Sequence, residues 1–466
     1  MKQSWQKRLR SLMLPGLKRW IVIIVAGIAV IVYGVLVLLG KHPVHYTITA
    51  LTDVLSDIAV NMPKRITGIV AVSVGGLVVI VAIVRMMASI LGAYLPDDRE
   101  SIPDVLYRKR HLERGPKVVV IGGGTGLSNL LRGLKGFTNN ITAIVTVGDD
   151  GGSSGRLRQE LGVLPPGDIR NCITALADED KLVTDLFKYR FVQGNGLEGH
   201  SFGNLFLTAV CAITDGDMLE AARMAGKVLN SCGQVLPATL SSMTLIAEFE
   251  DGTIVRGESH IPETTGRIKR IKCEPSAPEA TREAMDAIAG ADMIVLGPGS
   301  LYTSIIPNLL VNGIPEAIVQ SNARKVYVCN VMTQKGETTT YTVSDHVEAL
   351  LQHAGFARGM SSTPPNRFIE GAMINVESPP IDPDLPYSYV KYDPEKLRQL
   401  GVRPILRPLA NTELVGHHDA NRLATYLMLW YFGQKPGRYL KKNGAADKRT
   451  SSDKVKVPAL VDPSRG

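Results

Sequence analysis

Cysteine is scarce and unpaired in this sequence. Cys172, Cys211, Cys232, Cys273 and Cys329 are scattered, odd in number and form no CxxC pair. That spacing excludes a disulfide framework and a cysteine zinc site, and free thiols suit a reducing compartment. His260, His346 and His353 show no metal-ligand spacing either. No repeat recurs at solenoid spacing. Positive charge is missing from the body of the chain. Residues 1–19 hold six basic groups and no acid, and residues 434–466 hold nine basic groups against three acids, yet the whole chain totals +8. The stretch between is therefore net acidic, which argues against a basic groove, and no nucleic-acid partner is expected. With 45% hydrophobic and 21% charged residues over 466 positions, the chain is neither disordered nor collagen-like. It has room for a sizeable core.

Two runs lack charge altogether: 20–39 (WIVIIVAGIAVIVYGVLVLL) and 66–84 (ITGIVAVSVGGLVVIVAIV). Each is about the ~20 residues a helix needs to cross a bilayer. The first is longer than a signal-peptide core, lacks a clear cleavage site and precedes a second run. The pair therefore reads as two transmembrane helices rather than a leader. Lys2, Lys7, Arg8, Arg10, Lys18 and Arg19 precede the first run, and Arg85, Arg99, Arg108, Lys109, Arg110 and Arg114 follow the second. The positive-inside rule then places both termini in the cytoplasm and the connecting loop outside a cell membrane. The expected segments are a basic N-terminus (1–19), spans at 20–40 and 66–90, an external loop (41–65) and a linker (91–116). An α/β domain (117–432) and a basic disordered tail (433–466) follow, the tail suited to anionic membrane lipid.

From Lys117 the pattern alternates. KVVVIGGGTGLSNLLRGLK reads as strand, glycine loop and helix. ITAIVTVGDDGGSSGR and ADMIVLGPGSLYTS repeat the idea, and KVYVCNVM is a further buried strand. This predicts an α/β fold with a Rossmann-like, doubly wound, mostly parallel sheet. Ligands bind at the carboxyl ends of such strands, so the three glycine-rich loops are expected to share one cleft. TLIAEFE-DG-TIVRGES predicts an inserted β-hairpin region around Asp251-Gly252, and residues 421–432 predict a closing helix.

The loop Gly122-Gly123-Gly124-Thr125-Gly126 fails the dinucleotide spacing GxGxxG, because Leu127 or Asn129 stands where the last glycine belongs. What remains is a helix start that offers backbone N–H groups to an anion, through Gly123, Gly124 and Thr125. In Gly148-Asp149-Asp150-Gly151-Gly152-Ser153-Ser154-Gly155-Arg156, the paired carboxylates Asp149 and Asp150 suit Mg²⁺ or ribose hydroxyls. Gly152, Ser153 and Ser154 suit phosphate oxygens, with Arg156 to neutralise them. In PPGDIRN, Asp168 is placed to cap a helix, and Arg170 and Asn171 to fall in its first turn. GHSFG matches GxSxG, but no strand precedes Ser201, so a nucleophile elbow is disfavoured. His200 and Asn204 remain candidates for the cleft. Gly297, Gly299, Ser300 and Tyr302 follow an apolar strand as a further anion cradle.

These motifs occur in one order with CNVMTQKGET and YTVSDHVEAL, over about residues 117–430. Together they resemble the YvcK family, the gluconeogenesis factors, within the CofD-like group related to 2-phospho-L-lactate transferase. The resemblance implies a Rossmann-like domain that binds a nucleotide sugar, UDP-N-acetylglucosamine. It also implies a regulatory role in carbon metabolism, cell shape and cell-wall synthesis, with cell-wall synthesis proteins as partners and a homo-oligomeric state. Tyr341 is, by resemblance, a sugar-nucleotide contact. The alternative within the group is a transferase that moves a phospholactyl group to a deazaflavin acceptor, with Mg²⁺ on Asp149 and Asp150 as its cofactor. A non-enzymatic regulator is favoured, since no convincing general base is visible and GDDGGSSGR is kept whole. Two departures stand out: the apolar hairpin, and His417-His418-Asp419 where the family tends to Arg-His-Asp.

Overall fold

The structure is a computed structural model that describes residues 17–39, 64–94, 110–177, 181–357, 362–380 and 387–433. Apart from Lys64, Arg65 and Gly433, the expected external loop and basic tail lie outside the described residues, with most of the basic N-terminus and of the linker. The second helix begins at Lys64, inside the expected loop, and runs to Tyr94, inside the expected linker. The chain forms two units, Met1–Arg108 and Lys109–Gly466.

The first unit holds the helices Leu17–Leu38 and Lys64–Tyr94. Glycines let their backbones approach. A methyl group on Gly34 would lie 2.9 Å from the Val72 nitrogen, and one on Gly75 would lie 2.9 Å from the Gly27 carbonyl oxygen. Val22, Val25, Ile69, Leu77, Ile80 and Val84 remain exposed on the outside of the pair. Both helices are long and apolar enough to cross a membrane.

The second unit is built on a seven-stranded sheet. Its strands are β1 (Val118–Gly122), β2 (Ile141–Val145), β3 (Gln234–Pro237), β7 (Met293–Leu296), β8 (Arg324–Val328), β9 (Gly371–Asn375) and β10 (Arg403–Arg407). The spatial order is β10-β9-β8-β7-β1-β2-β3, and every pairing is parallel. The order reverses between β1 and β7, which makes their carboxyl ends the switch point of a doubly wound sheet. The Rossmann-like expectation holds. β4 (Thr244–Phe249), β5 (Ile254–Arg256) and β6 (Ile268–Glu274) form a separate antiparallel sheet between β3 and β7 in sequence. The hairpin turns at Gly252, whose φ of +88° suits glycine.

Side chains alternate across a strand, and β1 shows the consequence. Val119 and Ile121 join a core that includes the β4–β6 sheet, whereas Val118 and Val120 join the core on the opposite face. Burial on both faces gives the unbroken apolar run that made β1 legible. The helix Gly124–Leu134 buries Leu127, Leu130, Leu131 and Leu134, one stripe at helical spacing. It packs on the closing helix Ala420–Tyr431 so tightly that a methyl on Gly133 would overlap the Ala420 carbonyl oxygen. Gly133→Ala is therefore expected to lower the unfolding free energy by about 1–3 kcal/mol, the usual cost of overpacking. A urea unfolding midpoint equal to wild type would contradict this contact.

Candidate functional site

Three loops meet at the switch point. β1 runs into the 122–126 loop, and Gly124, the first residue of its helix, has φ +68°. β7 runs into the 297–300 turn. The two backbones interlock: a methyl on Gly126 would lie 3.0 Å from the Pro298 carbonyl oxygen, and one on Gly299 would lie 3.1 Å from the Gly123 oxygen. β2 runs into the 148–152 loop, which opens the helix Gly152–Leu161. Gly123 and Gly151, the cap residues of the first and third loops, provide no side-chain cap. Their helix starts leave backbone N–H groups without an intrahelical partner.

Acidic groups gather beside these loops. Asp149 Oδ1 accepts from Gly151 N–H at 2.9 Å, and Asp150 Oδ1 accepts from Ser259 N–H at 2.9 Å. Asp168 lies in the first turn of the helix Gly167–Leu176, and it is not the cap; Pro166 holds that position. Its carboxylate instead reaches across to the glycine loop, 2.5 Å from where a methyl on Gly123 would sit. Desolvation raises Asp168 to about 6, opposed by the Gly124 N–H and aided by the Asp149 charge. Glu258 completes the group. Burial pushes its carboxyl well above the usual glutamate range, and the Asp149, Asp168, Glu337 and Asp150 charges push the same way. Its Oε2 is sealed from solvent with no hydrogen-bond partner.

Arginines gather next to these acids. Arg156 Nη2 donates to the Glu198 carbonyl at 2.7 Å, and Arg190 Nη1 donates to the Gly199 carbonyl. Arg170 Nη2 donates to Asn171 Oδ1 at 2.8 Å, while its Nε is sealed and unpartnered. Burial lowers the Arg170 pKa, the Arg190 charge adds to the shift, and the nearby Asp168 charge opposes it. Between the two groups, Ser153 Oγ bonds His200 Nδ1 at 2.9 Å and accepts from Asn204 Nδ2 at 3.1 Å. Ser201 caps its helix by accepting from Asn204 N–H at 3.2 Å, so the GxSxG match is a helix start, as its missing strand implied.

The remaining candidates divide. Thr125, Gly152 and Arg156 are exposed at the mouth, and Ser154 is buried beneath it. Ser300 accepts from Gln334 Nε2 at 2.8 Å. Tyr302 and Tyr341 lie in the core, their hydroxyls 2.8 Å apart, with Arg267 over the Tyr341 ring. Their phenols bond to each other. Asp419 caps the closing helix, His418 is buried with Nε2 3.1 Å from the Cys329 carbonyl oxygen, and His417 is exposed.

Three residues escaped the sequence reading. Glu258 and Glu337 sat inside quoted motifs without being singled out, and Arg190 sits in no motif. Glu337 accepts from Tyr302 N–H and Thr303 Oγ1, each at 3.1 Å, and so holds the turn after β7. Oxygen donors at the acidic end match Mg²⁺ in kind. Among the described residues, however, no three His, Cys, Asp or Glu groups are arranged to hold a metal. Any Mg²⁺ here needs ligand oxygens beside Asp149 and Asp150.

Burial raises Glu337 from 4.5 to about 7. The folded state thus holds this proton more tightly than the unfolded chain. The stability it contributes is present below pH ~4.5 and is lost as pH rises towards 7. Relative to Glu337→Gln, the wild type is expected to lose up to about 1.4 kcal/mol per pH unit across that window. Urea unfolding of both proteins at several pH values checks this; parallel profiles would contradict it.

The family described as 2-phospho-L-lactate transferase CofD matches residues 118–410. The gluconeogenesis factor of Bacillus subtilis is 49% identical over 319 residues, 67% of this chain and 97% of its own. A Nostoc sp. protein, named provisionally for the same factor, is 47% identical over 433 residues, 91% of this chain and 93% of its own. That share exceeds the α/β unit, so part of the N-terminal region is common to both. A solved structure of a Bacillus halodurans protein of the upf0052 family is 48% identical, with a TM-score of 0.63 over 68% of this chain and 99% of that one. The chain belongs to the CofD family, among its gluconeogenesis factors of the YvcK type.

Proposed function

We propose that this protein is a membrane-anchored regulator that binds a nucleotide sugar, UDP-N-acetylglucosamine, in the cleft at the β1–β7 switch point. The observation that carries this reading is the acidic cluster of Asp149, Asp150, Asp168 and Glu258 beside the glycine loops. Burial and the neighbouring charges keep the proton on Glu258, beside the half-buried Asp149 and Asp150. A ligand rich in hydroxyls donates to those two carboxylates. Ribose and a hexose supply such groups, and the nucleotide diphosphate supplies the negative charge that the arginines favour. The resemblance to the family adds links to carbon metabolism, cell shape and cell-wall synthesis. A hairpin anchor would keep the sensor beside the wall-building machinery, with both termini cytoplasmic.

A transferase of the CofD type is the second reading, favoured by the family match over residues 118–410. Mg²⁺ on Asp149 and Asp150 would offset diphosphate charge. The chain's own residues would then orient donor and acceptor and exclude water.

Full-length protein in detergent is expected to melt several degrees higher with millimolar UDP-N-acetylglucosamine, as mass action requires of a ligand bound to the native state. A shift with guanosine diphosphate ligands but none with UDP-N-acetylglucosamine would overturn the sugar assignment. Turnover of a phospholactyl nucleotide with a deazaflavin alcohol, lost in Asp149→Asn, would favour the transferase. For the anchor, Ser56→Cys in the 41–65 loop is expected to be labelled by a membrane-impermeant maleimide added to intact cells. Protection of that thiol until the cells are opened would reverse the topology.

A further inference from the structure

The cleft is electrically divided, and the division says where a ligand's charge goes. Glycine loops that open helices are usual phosphate cradles. Here the 122–126 loop is already taken by the protein's own anion. Asp168 lies against Gly123, and its carboxylate interacts with the Gly124 N–H. Asp149 and Glu258 stand close behind it. A diphosphate at that loop would face three carboxyl groups.

Beyond Arg170, whose charge reaches Asp168, the neighbouring residues have the opposite character. Arg156, Arg170 and Arg190 converge around residues 198–203. Arg156 and Arg190 donate to the adjacent carbonyls of Glu198 and Gly199. Arg170 packs on Gly203, where a methyl would lie 2.7 Å from its Cδ. Among the described residues none of the three sits in an ion pair with a carboxylate within 4.0 Å. The Arg170 Nε is sealed and has no acceptor. Arg156 also lines an open, mostly polar hollow with Gly194, Asn195, Gly196, Glu198 and Gly199. The uncapped start of the helix Gly152–Leu161 lies beside it, with Ser153 held by His200.

We infer that Arg156, Arg170 and Arg190 form the anion subsite of this cleft and take the diphosphate, while the 122–126 glycine loop takes none of the ligand's charge. This rests on the nucleotide-sugar reading and gives it an orientation: sugar and ribose towards the acids, phosphates towards the arginines. Guanidinium forks match phosphate oxygens two at a time, so geometry as well as charge counts.

The test is isothermal titration of full-length protein in detergent with UDP-N-acetylglucosamine, UDP and inorganic pyrophosphate. Wild type is compared with Arg156→Gln, Arg190→Gln and Arg190→Lys. Melting temperatures of the unliganded variants report folding; both glutamine sites are exposed, and the lysine variant keeps the charge. The expected result is at least a tenfold loss of affinity for UDP-N-acetylglucosamine and for pyrophosphate in each glutamine variant. Arg190→Lys is expected to lose less, and the salt dependence to weaken in the glutamine variants. Unchanged affinity in both glutamine variants, with wild type binding the nucleotide sugar, overturns the subsite and leaves the proposed function standing. Arginine-dependent binding of pyrophosphate or UDP, with no binding of the nucleotide sugar, supports the subsite and overturns the proposed function. No binding of any of the three by wild type overturns both.

Discussion

At the carboxyl ends of β1 and β7, two backbones come so close that neither Gly126 nor Gly299 has room for a side chain without displacing the other loop. This approach follows from the reversal of strand order between those strands. Neighbouring strands at a reversal send their connections to opposite faces, and a crevice opens between them. The helices that follow both strands start at its edge. Their positions fix where Asp168 and Glu337 must reach. The antiparallel β4–β6 sheet then brings Glu258 in from the side. The site is thus a consequence of packing at one seam, with glycine as the residue that lets the seam close.

The charges arranged around that seam are unusual for a phosphate-binding loop. Acidic side chains and arginines gather there in two neighbouring groups, which meet where the Arg170 charge reaches Asp168. Such crowding costs stability, because carboxyl groups kept from water and near one another hold protons they would release in solvent. Glu258 and Asp168 bear that cost, and Glu337 bears a similar one beneath the turn after β7. A ligand with hydroxyls at one end and phosphates at the other would relieve both groups.

The strongest sequence signals were those that depend on few residues. β1, β2, β7 and β8 are apolar runs ended by glycine or a polar turn, and all four appeared where expected. Ala420–Tyr431 and the Asp251-Gly252 hairpin appeared as well. β3, β9 and β10 were not singled out. β3 is four residues long, and β10 sets a buried Ile405 between an exposed Arg403 and a half-buried Arg407 at the sheet's edge. Such a strand is recognised by its neighbour more than by its own composition. The loops at 122–126, 148–156 and 297–300 were legible because glycine clusters have few other uses. Asp168 looked like a cap, since only the fold shows that its carboxylate leaves its own helix and crosses to another. Tyr302 and Tyr341 pair through their phenols in the core, a contact that no spacing along the chain reveals.

The sequence by itself determined the two apolar helices, the alternation of strands and helices, the glycine loops and the family likeness. All of these are local properties, set by hydropathy, spacing and backbone freedom along a few consecutive residues. Tertiary structure alone decided which charges face each other. Glu258 meets Asp149 across the sheet insertion, and Arg190 meets Arg170 from a separate element. The physical reason is that Coulomb energy and desolvation depend on distance through space and on burial. Separation along the chain fixes neither.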